Sequence, residues 1–102
     1  MTDEQINAAI AEARGWTDIV NNPDFGLMGI DPSTHGLRTC VPYYANDLNA
    51  MHEAEETLNT DELFEQYYLT LYETTRSTRW PVRAKARQRA EAFLRTLGKW
   101  EE

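Results

Sequence analysis

The apolar positions near the start of the chain repeat with the period of an α-helix. Spacings of three and four residues separate Ile6, Ala9, Ile10 and Ala13. Thr2 and Gln5 have the spacing of a capping box, and Gly15 is a residue at which helices commonly end. The pattern predicts a short amphipathic helix at residues 3–14.

Residues 16–42 carry a weaker pattern. A turn at 21–24 separates two apolar stretches, and Gly26 and Gly29 interrupt the second of them. Two interpretations stay open at this point, namely two short strands, or one strand and an irregular loop. Residues 31–42 are rich in Pro, Ser, Thr and Gly, which predicts a loop.

Helical spacing returns in the middle of the chain. Asn46 or Asp47 can cap a helix at 47–58, with Leu48, Met51, Ala54 and Leu58 inward and Glu53, Glu55 and Glu56 on the solvated side. After a turn of helix near Phe64, residues 67–72 alternate and are rich in strand formers, which predicts a strand with Tyr67, Leu69 and Leu71 on one face.

The last third predicts a possible edge strand and a clear helix. Pro81 restricts residues 80–82 to the edge of a sheet. A helix at about 84–97 presents Ala90, Phe93, Leu94 and Leu97, which we expect to pack against the sheet, and Gly98 ends it. We therefore expect residues 1–102 to form one α+β domain, with a small, mostly antiparallel sheet covered by helices.

Several local strings resemble the phage ABA sandwich domain. They are Gly15-Trp16, the stretch from Pro42-Tyr43-Tyr44-Ala45-Asn46-Asp47 into residues 48–55, and residues 87–100. The resemblance implies a three-layer helix-sheet-helix sandwich, a bacteriophage origin and no established enzyme activity. Ala45 stands where the family usually has Ser or Thr, so Asn46 or Asp47 must cap the following helix.

Charge is divided along the chain. Residues 1–75 hold fourteen acidic and two basic side chains, whereas residues 76–100 hold eight basic and one acidic. A net charge of −7 makes general nucleic-acid binding unfavourable. The single Cys40 cannot form an internal disulfide, and neither a signal peptide nor a membrane span is apparent. We expect a location in the host cytoplasm.

Catalytic and metal motifs are weak. His52 lacks the second histidine of a metalloprotease helix and is expected to pair with Glu56 one turn on. His35, His52 and Cys40 form no metal-ligand pattern, and Cys40 has no partner that marks a nucleophile. We expect no metal, no cofactor and no enzyme activity.

Cations and aromatic rings give the strongest binding pattern. Arginine pairs with phosphate and aromatic rings stack on bases, and the N-terminus of the helix at 47–58 adds N–H groups for an anion. The predicted ligand-binding residues are Arg79, Trp80, Arg83, Arg87, Tyr43, Tyr44 and Asn46. In the structural interpretation, Arg83 and Arg87 instead pair with glutamates of the helix at 47–58 or of another subunit, and Trp16, Trp80 and Trp100 are core residues.

From the resemblance and this cluster we expect a phage accessory protein that binds and sequesters a small anionic ligand, a nucleotide second messenger of host anti-phage defence. The alternative is a protein-interaction module that inhibits or recruits a host protein. Opposite charges on one chain can also satisfy each other across a symmetric contact, which predicts a homo-oligomer.

Overall fold

Helices and a small sheet alternate along the chain. The structure is a computed structural model and describes residues 1–74 and 84–101. The elements are α1 (Asp3–Ala13), β1 (Thr17–Asn22), β2 (Gly26–Ile30), β3 (Arg38–Cys40), α2 (Leu48–Glu55), α3 (Asp61–Thr74) and α4 (Ala86–Thr96). The predicted α+β class and the antiparallel sheet are confirmed. The predicted edge strand at 80–82 lies outside the described residues.

The sheet has three antiparallel strands with β2 in the centre. The interpretation of two short strands is therefore confirmed, and the alternative of one strand and an irregular loop is wrong. The Asn22 side chain closes the hairpin, because its Oδ1 accepts hydrogen bonds from the backbone N–H groups of Asp24 (2.8 Å) and Phe25 (3.1 Å). Gly29 lies under the buried Trp16, since a Cβ there would approach the indole within 3.3 Å.

The third strand corrects one prediction. Residues 31–42 were predicted to be a loop, yet Arg38–Cys40 pair with Met28–Ile30. Short edge strands depend on the neighbour that they pair with more than on their own composition, and the turn formers around this one conceal it.

The first two helices begin at the predicted caps. Thr2 Oγ1 accepts a hydrogen bond from Gln5 N (3.2 Å), and Gln5 Oε1 accepts one from Thr2 N (2.8 Å), so the capping box is confirmed. Asp47, one of the two predicted caps of α2, accepts hydrogen bonds from the N–H groups of Asn49 and Ala50.

The predicted strand at 67–72 is wrong, because these residues belong to the fourteen-residue helix α3. Thr60 Oγ1 accepts a hydrogen bond from Leu63 N (3.1 Å), and the first turn is acidic, which stabilises a helix N-terminus. Tyr67 and Leu71 are buried one turn apart, whereas Leu69 is exposed. Packing of this face outweighs the weak strand preference of Tyr and Thr.

The last helix organises the core. Ala90, Phe93 and Leu94 of α4 are buried, and Gly98 follows with a positive φ of 72°. The helix at 84–97 is thus confirmed, but its expected packing on a sheet with Tyr67, Leu69 and Leu71 is wrong, because α4 packs against α3, α1 and α2. The sheet contacts α1 through β1.

Candidate functional site

The predicted ligand-binding residues divide into two groups. Arg79, Trp80 and Arg83 lie outside the described residues. The other four, Arg87, Tyr43, Tyr44 and Asn46, lie within them.

Tyr43 and Tyr44 are adjacent in the turn that leads into α2, but one is exposed and the other is buried. Tyr44 is fully buried, and its hydroxyl accepts a hydrogen bond from Arg14 Nη1 (3.0 Å). The Arg14 guanidinium also lies 5.9 Å from the centre of the Tyr44 ring. Burial raises the pKa of the Tyr44 phenol, although Arg14 acts in the opposite direction. Tyr44 is therefore a core residue bonded to α1, while Tyr43 is exposed.

Arg87 is bound within the protein. Its Nη1 forms an ion pair with Asp3 Oδ1, and its Nη2 donates a hydrogen bond to the carbonyl of Met1 (3.1 Å). These contacts join the start of α4 to the start of α1. They agree with the structural interpretation of Arg87, although the carboxylate comes from α1 and not from α2.

Tyr43 and Asn46 line one small cleft of about 210 Å³. Asp3, the partner of Arg87, lines the same cleft together with Glu4. The fold thus brings three of the described candidates close to one carboxylate. Because two acidic side chains border the cleft, an anion bound here would have to compete with Asp3 for Arg87.

A second ion pair joins α2 to α4. Arg89 is buried, and its Nη1 lies 3.2 Å from Glu55 Oε2, while its Nε donates to the carbonyl of Ala84 (3.1 Å). His52 pairs with Glu55 at 3.3 Å, so the predicted partner Glu56 is wrong. Glu55 was placed on the solvated side of α2 and instead bridges two helices, because Arg89 draws it inward.

Tyr67 of α3 adjoins this pair. Burial raises the pKa of the Tyr67 phenol, and the charge of Glu55 raises it further, with Arg89 acting in the opposite direction. The Tyr67 hydroxyl forms no hydrogen bond of normal geometry with any described residue. The phenol is therefore held in its neutral form inside the helical core.

The side of α3 opposite the buried Tyr67 and Leu71 is an exposed surface that the sequence analysis did not predict. Phe64, Tyr68, Leu69 and Tyr72 are between 50% and 57% exposed. Asp61, Glu62, Glu65 and Glu73 are exposed on the same helix, which has no basic residue. These eight residues are called the acidic aromatic face. Numbering residues 61–74 with a helical period would have revealed it, but the strand prediction placed these side chains on two faces of a sheet.

A cleft lies at the start of α3. This N-terminal cleft has a volume of about 510 Å³ and is lined by Leu58, Asn59, Thr60, Asp61, Phe64, Glu65 and Tyr68. The Phe64 ring lies 6.3 Å from the buried Tyr67 ring at an interplanar angle of 59°. The Phe64 ring thus packs against Tyr67 in a tilted arrangement.

Other candidate chemistry is sparse. Within residues 1–74 and 84–101, no group of three His, Cys, Asp or Glu side chains is arranged to hold a metal ion. Cys40 is an exposed free thiol. None of the helices in that part of the chain is long and apolar enough to cross a membrane.

Comparison with protein-family models, with curated proteins and with solved structures finds no match to this chain. The resemblance to the phage ABA sandwich domain accordingly stays a prediction that depends on the local strings quoted above.

Proposed function

We propose that this chain is a protein-interaction module that binds a partner protein through the acidic aromatic face of α3. The observation that carries the proposal is the exposure of Phe64, Tyr68, Leu69 and Tyr72 along one helix. Contiguous apolar side chains on a surface mark interaction sites more often than isolated ones do. The resemblance to a phage domain makes a host protein the expected partner.

The dimensions of the face suit a protein partner. A helix of fourteen residues is about 21 Å long. A ridge of this length can lie along a helix or groove of another protein, where aromatic residues supply much of the binding free energy. The opposite side of α3 is already packed on α4, so the two sides of the helix can serve packing and binding separately.

Charge defines the partner's chemistry. The four carboxylates of the acidic aromatic face have no basic residue beside them on α3. A partner surface that pairs with this face must therefore supply cations around an apolar centre. The binding partner of this face is accordingly a basic, amphipathic segment of another protein.

The experiment is affinity capture followed by crosslinking and mass spectrometry in cells of the host. It compares the native chain with the double variant Tyr68→Ser/Leu69→Ser, in which the apolar centre of the face is removed. The matched control is Phe25→Ser, which removes an exposed aromatic residue from the β1–β2 hairpin. Circular dichroism and thermal unfolding confirm that each variant is folded.

We expect one partner to be lost with the α3 variant and kept with Phe25→Ser, and its crosslinked segment to be rich in Lys and Arg. Equal capture by both variants, or crosslinks to an acidic segment, would contradict the proposal. Light scattering of the purified chain separates binding to another protein from the predicted homo-oligomer, which also stays a prediction.

Sequestration of a nucleotide second messenger likewise stays a prediction. Among the described candidates, Tyr44 is in the core, Arg87 is paired with Asp3, and Tyr43 and Asn46 face a cleft bordered by acidic side chains. Within residues 1–74 and 84–101, no cation forms an ion pair with a carboxylate of the acidic aromatic face, and for that reason we prefer protein binding.

A further inference from the structure

We infer that the N-terminal cleft of α3 receives an arginine side chain of the partner protein. The inference rests on the proposed function, because it names the residue type that one part of the acidic aromatic face selects. The cleft lies at the start of that face and is lined by both charged and apolar groups, so an anchoring side chain can contact both kinds there.

The walls of the cleft carry two kinds of group at helical spacing. Asp61 and Glu65 are four residues apart, and so are Phe64 and Tyr68. Residues four apart on a helix have Cβ atoms about 5–6 Å from each other. The cleft thus presents two carboxylates beside two aromatic rings, and the buried Leu58 adds an apolar wall.

A guanidinium group matches both kinds of wall. It is planar and stacks on aromatic rings, and its N–H groups form paired hydrogen bonds with carboxylates. The aliphatic part of an arginine side chain can lie along Leu58 and the rings. A lysine ammonium can pair with the carboxylates but has no plane to stack, so the cleft favours arginine.

An anion is a poor occupant of the same cleft. The first turn of a helix attracts anions, but here Asp61 and Glu62 already occupy that turn and Thr60 accepts the hydrogen bond of Leu63 N. Two carboxylates would also repel a phosphate. The groups present therefore select a cation.

The test is an NMR titration of the full chain with three capped tripeptides at constant ionic strength. They are acetyl-Leu-Arg-Leu-amide, its citrulline analogue, which has the same shape without charge, and its lysine analogue. The titrations are repeated with Asp61→Asn, Glu65→Gln and Tyr68→Leu. Glu73→Gln is the matched control, because it removes a carboxylate from α3 outside the cleft.

We expect the arginine peptide to shift amide signals between residues 58 and 68 and to bind more tightly than either analogue. Loss of one carboxylate should weaken it about two- to fivefold, as for an exposed ion pair. Tyr68→Leu should lower the preference for arginine over lysine, and Glu73→Gln should change little. Equal binding of citrulline or lysine, shifts spread over the surface, or no effect of Asp61→Asn and Glu65→Gln would overturn the inference.

The two proposals can fail separately. If the arginine peptide binds in the cleft while Tyr68→Ser/Leu69→Ser leaves partner capture unchanged, the proposed function is wrong and the cation preference stands. If partner capture depends on the face while the peptides are not distinguished, the face binds a partner and the arginine inference is wrong.

Discussion

The two faces of α3 carry the same kinds of side chain in opposite environments. Tyr67 and Leu71 are buried in the helical core, whereas Tyr68 and Leu69 are more than half exposed. Tyr67 and Tyr68 are adjacent in the chain, and a step of one residue rotates the side chain by about 100° around the helix. The buried face has a structural reason for its aromatic and aliphatic residues. The exposed face lies outside the core formed by residues 1–74 and 84–101, so we attribute its composition to binding.

Charge follows the same division. The buried face approaches Glu55 and Arg89, a pair in which both charges are compensated. The exposed face carries carboxylates without cations on the same helix. A compensated pair inside the protein thus contrasts with an exposed acidic surface that forms no ion pair with residues 1–74 or 84–101.

The sharpest test of the two faces compares Leu71→Ala with Leu69→Ala. Leu71 is buried, so its truncation should cost about 2–5 kcal/mol of unfolding free energy. Leu69 is exposed, and its truncation should change the free energy by less than about 0.5 kcal/mol. Urea unfolding of both variants gives the two values.

A strand at 67–72 would place both leucines on one face and give similar costs. Similar values would therefore contradict the helix, and Phe93→Ala in α4 is the reference for a core truncation, with an expected cost of about 3–5 kcal/mol.

The second test uses alkaline pH. The folded pKa of Tyr67 is raised above that of the unfolded chain, so its contribution to stability is complete below about pH 10 and is lost as the pH rises from there towards the folded pKa. Each tyrosine that stays protonated in the folded state should lower stability by about 1.4 kcal/mol per pH unit in that range.

Tyr67→Phe should remove the share of one tyrosine from this loss of stability at alkaline pH. At neutral pH this variant should keep its stability, because the hydroxyl has no hydrogen-bond partner among the described residues. Unfolding free energies measured between about pH 8 and about pH 11 give the slope, with Tyr68→Phe as the matched control for loss of one phenol. If Tyr67→Phe leaves the pH dependence of the unfolding free energy unchanged, burial does not raise the pKa of the Tyr67 phenol.

Local signals predicted much of the fold. Capping at Thr2 and Asp47, the helical periods of α1, α2 and α4, and Gly98 as the end of α4 all depend on neighbours in the chain, and each is confirmed. The strand prediction at 67–72 failed because alternation at Tyr67, Leu69 and Leu71 also places the first and last of them one helical turn apart. Only the packing partner α4 decides between the two periods.

The candidate site was harder to predict for a related reason. The cluster of Arg and aromatic residues was chosen by composition, but composition does not say which side chains are used inside the protein. Tyr44 bonds Arg14, and Arg87 pairs with Asp3, which lies at the other end of the chain. The acidic aromatic face was concealed by the wrong period. The contacts of Tyr44 and Arg87 are long-range and cannot be read from local spacing, whereas a helical period would have revealed the face.

The smallest expected effect concerns the carboxylates of the exposed face. Asp61 and Glu65 are like charges four residues apart, an arrangement that destabilises a helix by about 0.2–0.5 kcal/mol. Glu65→Gln should therefore raise the unfolding free energy by about that amount at low ionic strength, and the gain should fall as salt screens the repulsion. Urea unfolding at two salt concentrations measures it. A loss of stability on Glu65→Gln would mean that the carboxylate has a stabilising partner, and the exposed face would then resemble the buried one. A gain would mean that the chain keeps an unfavourable charge at the N-terminal cleft, as expected where binding a cation outweighs a small cost in folding.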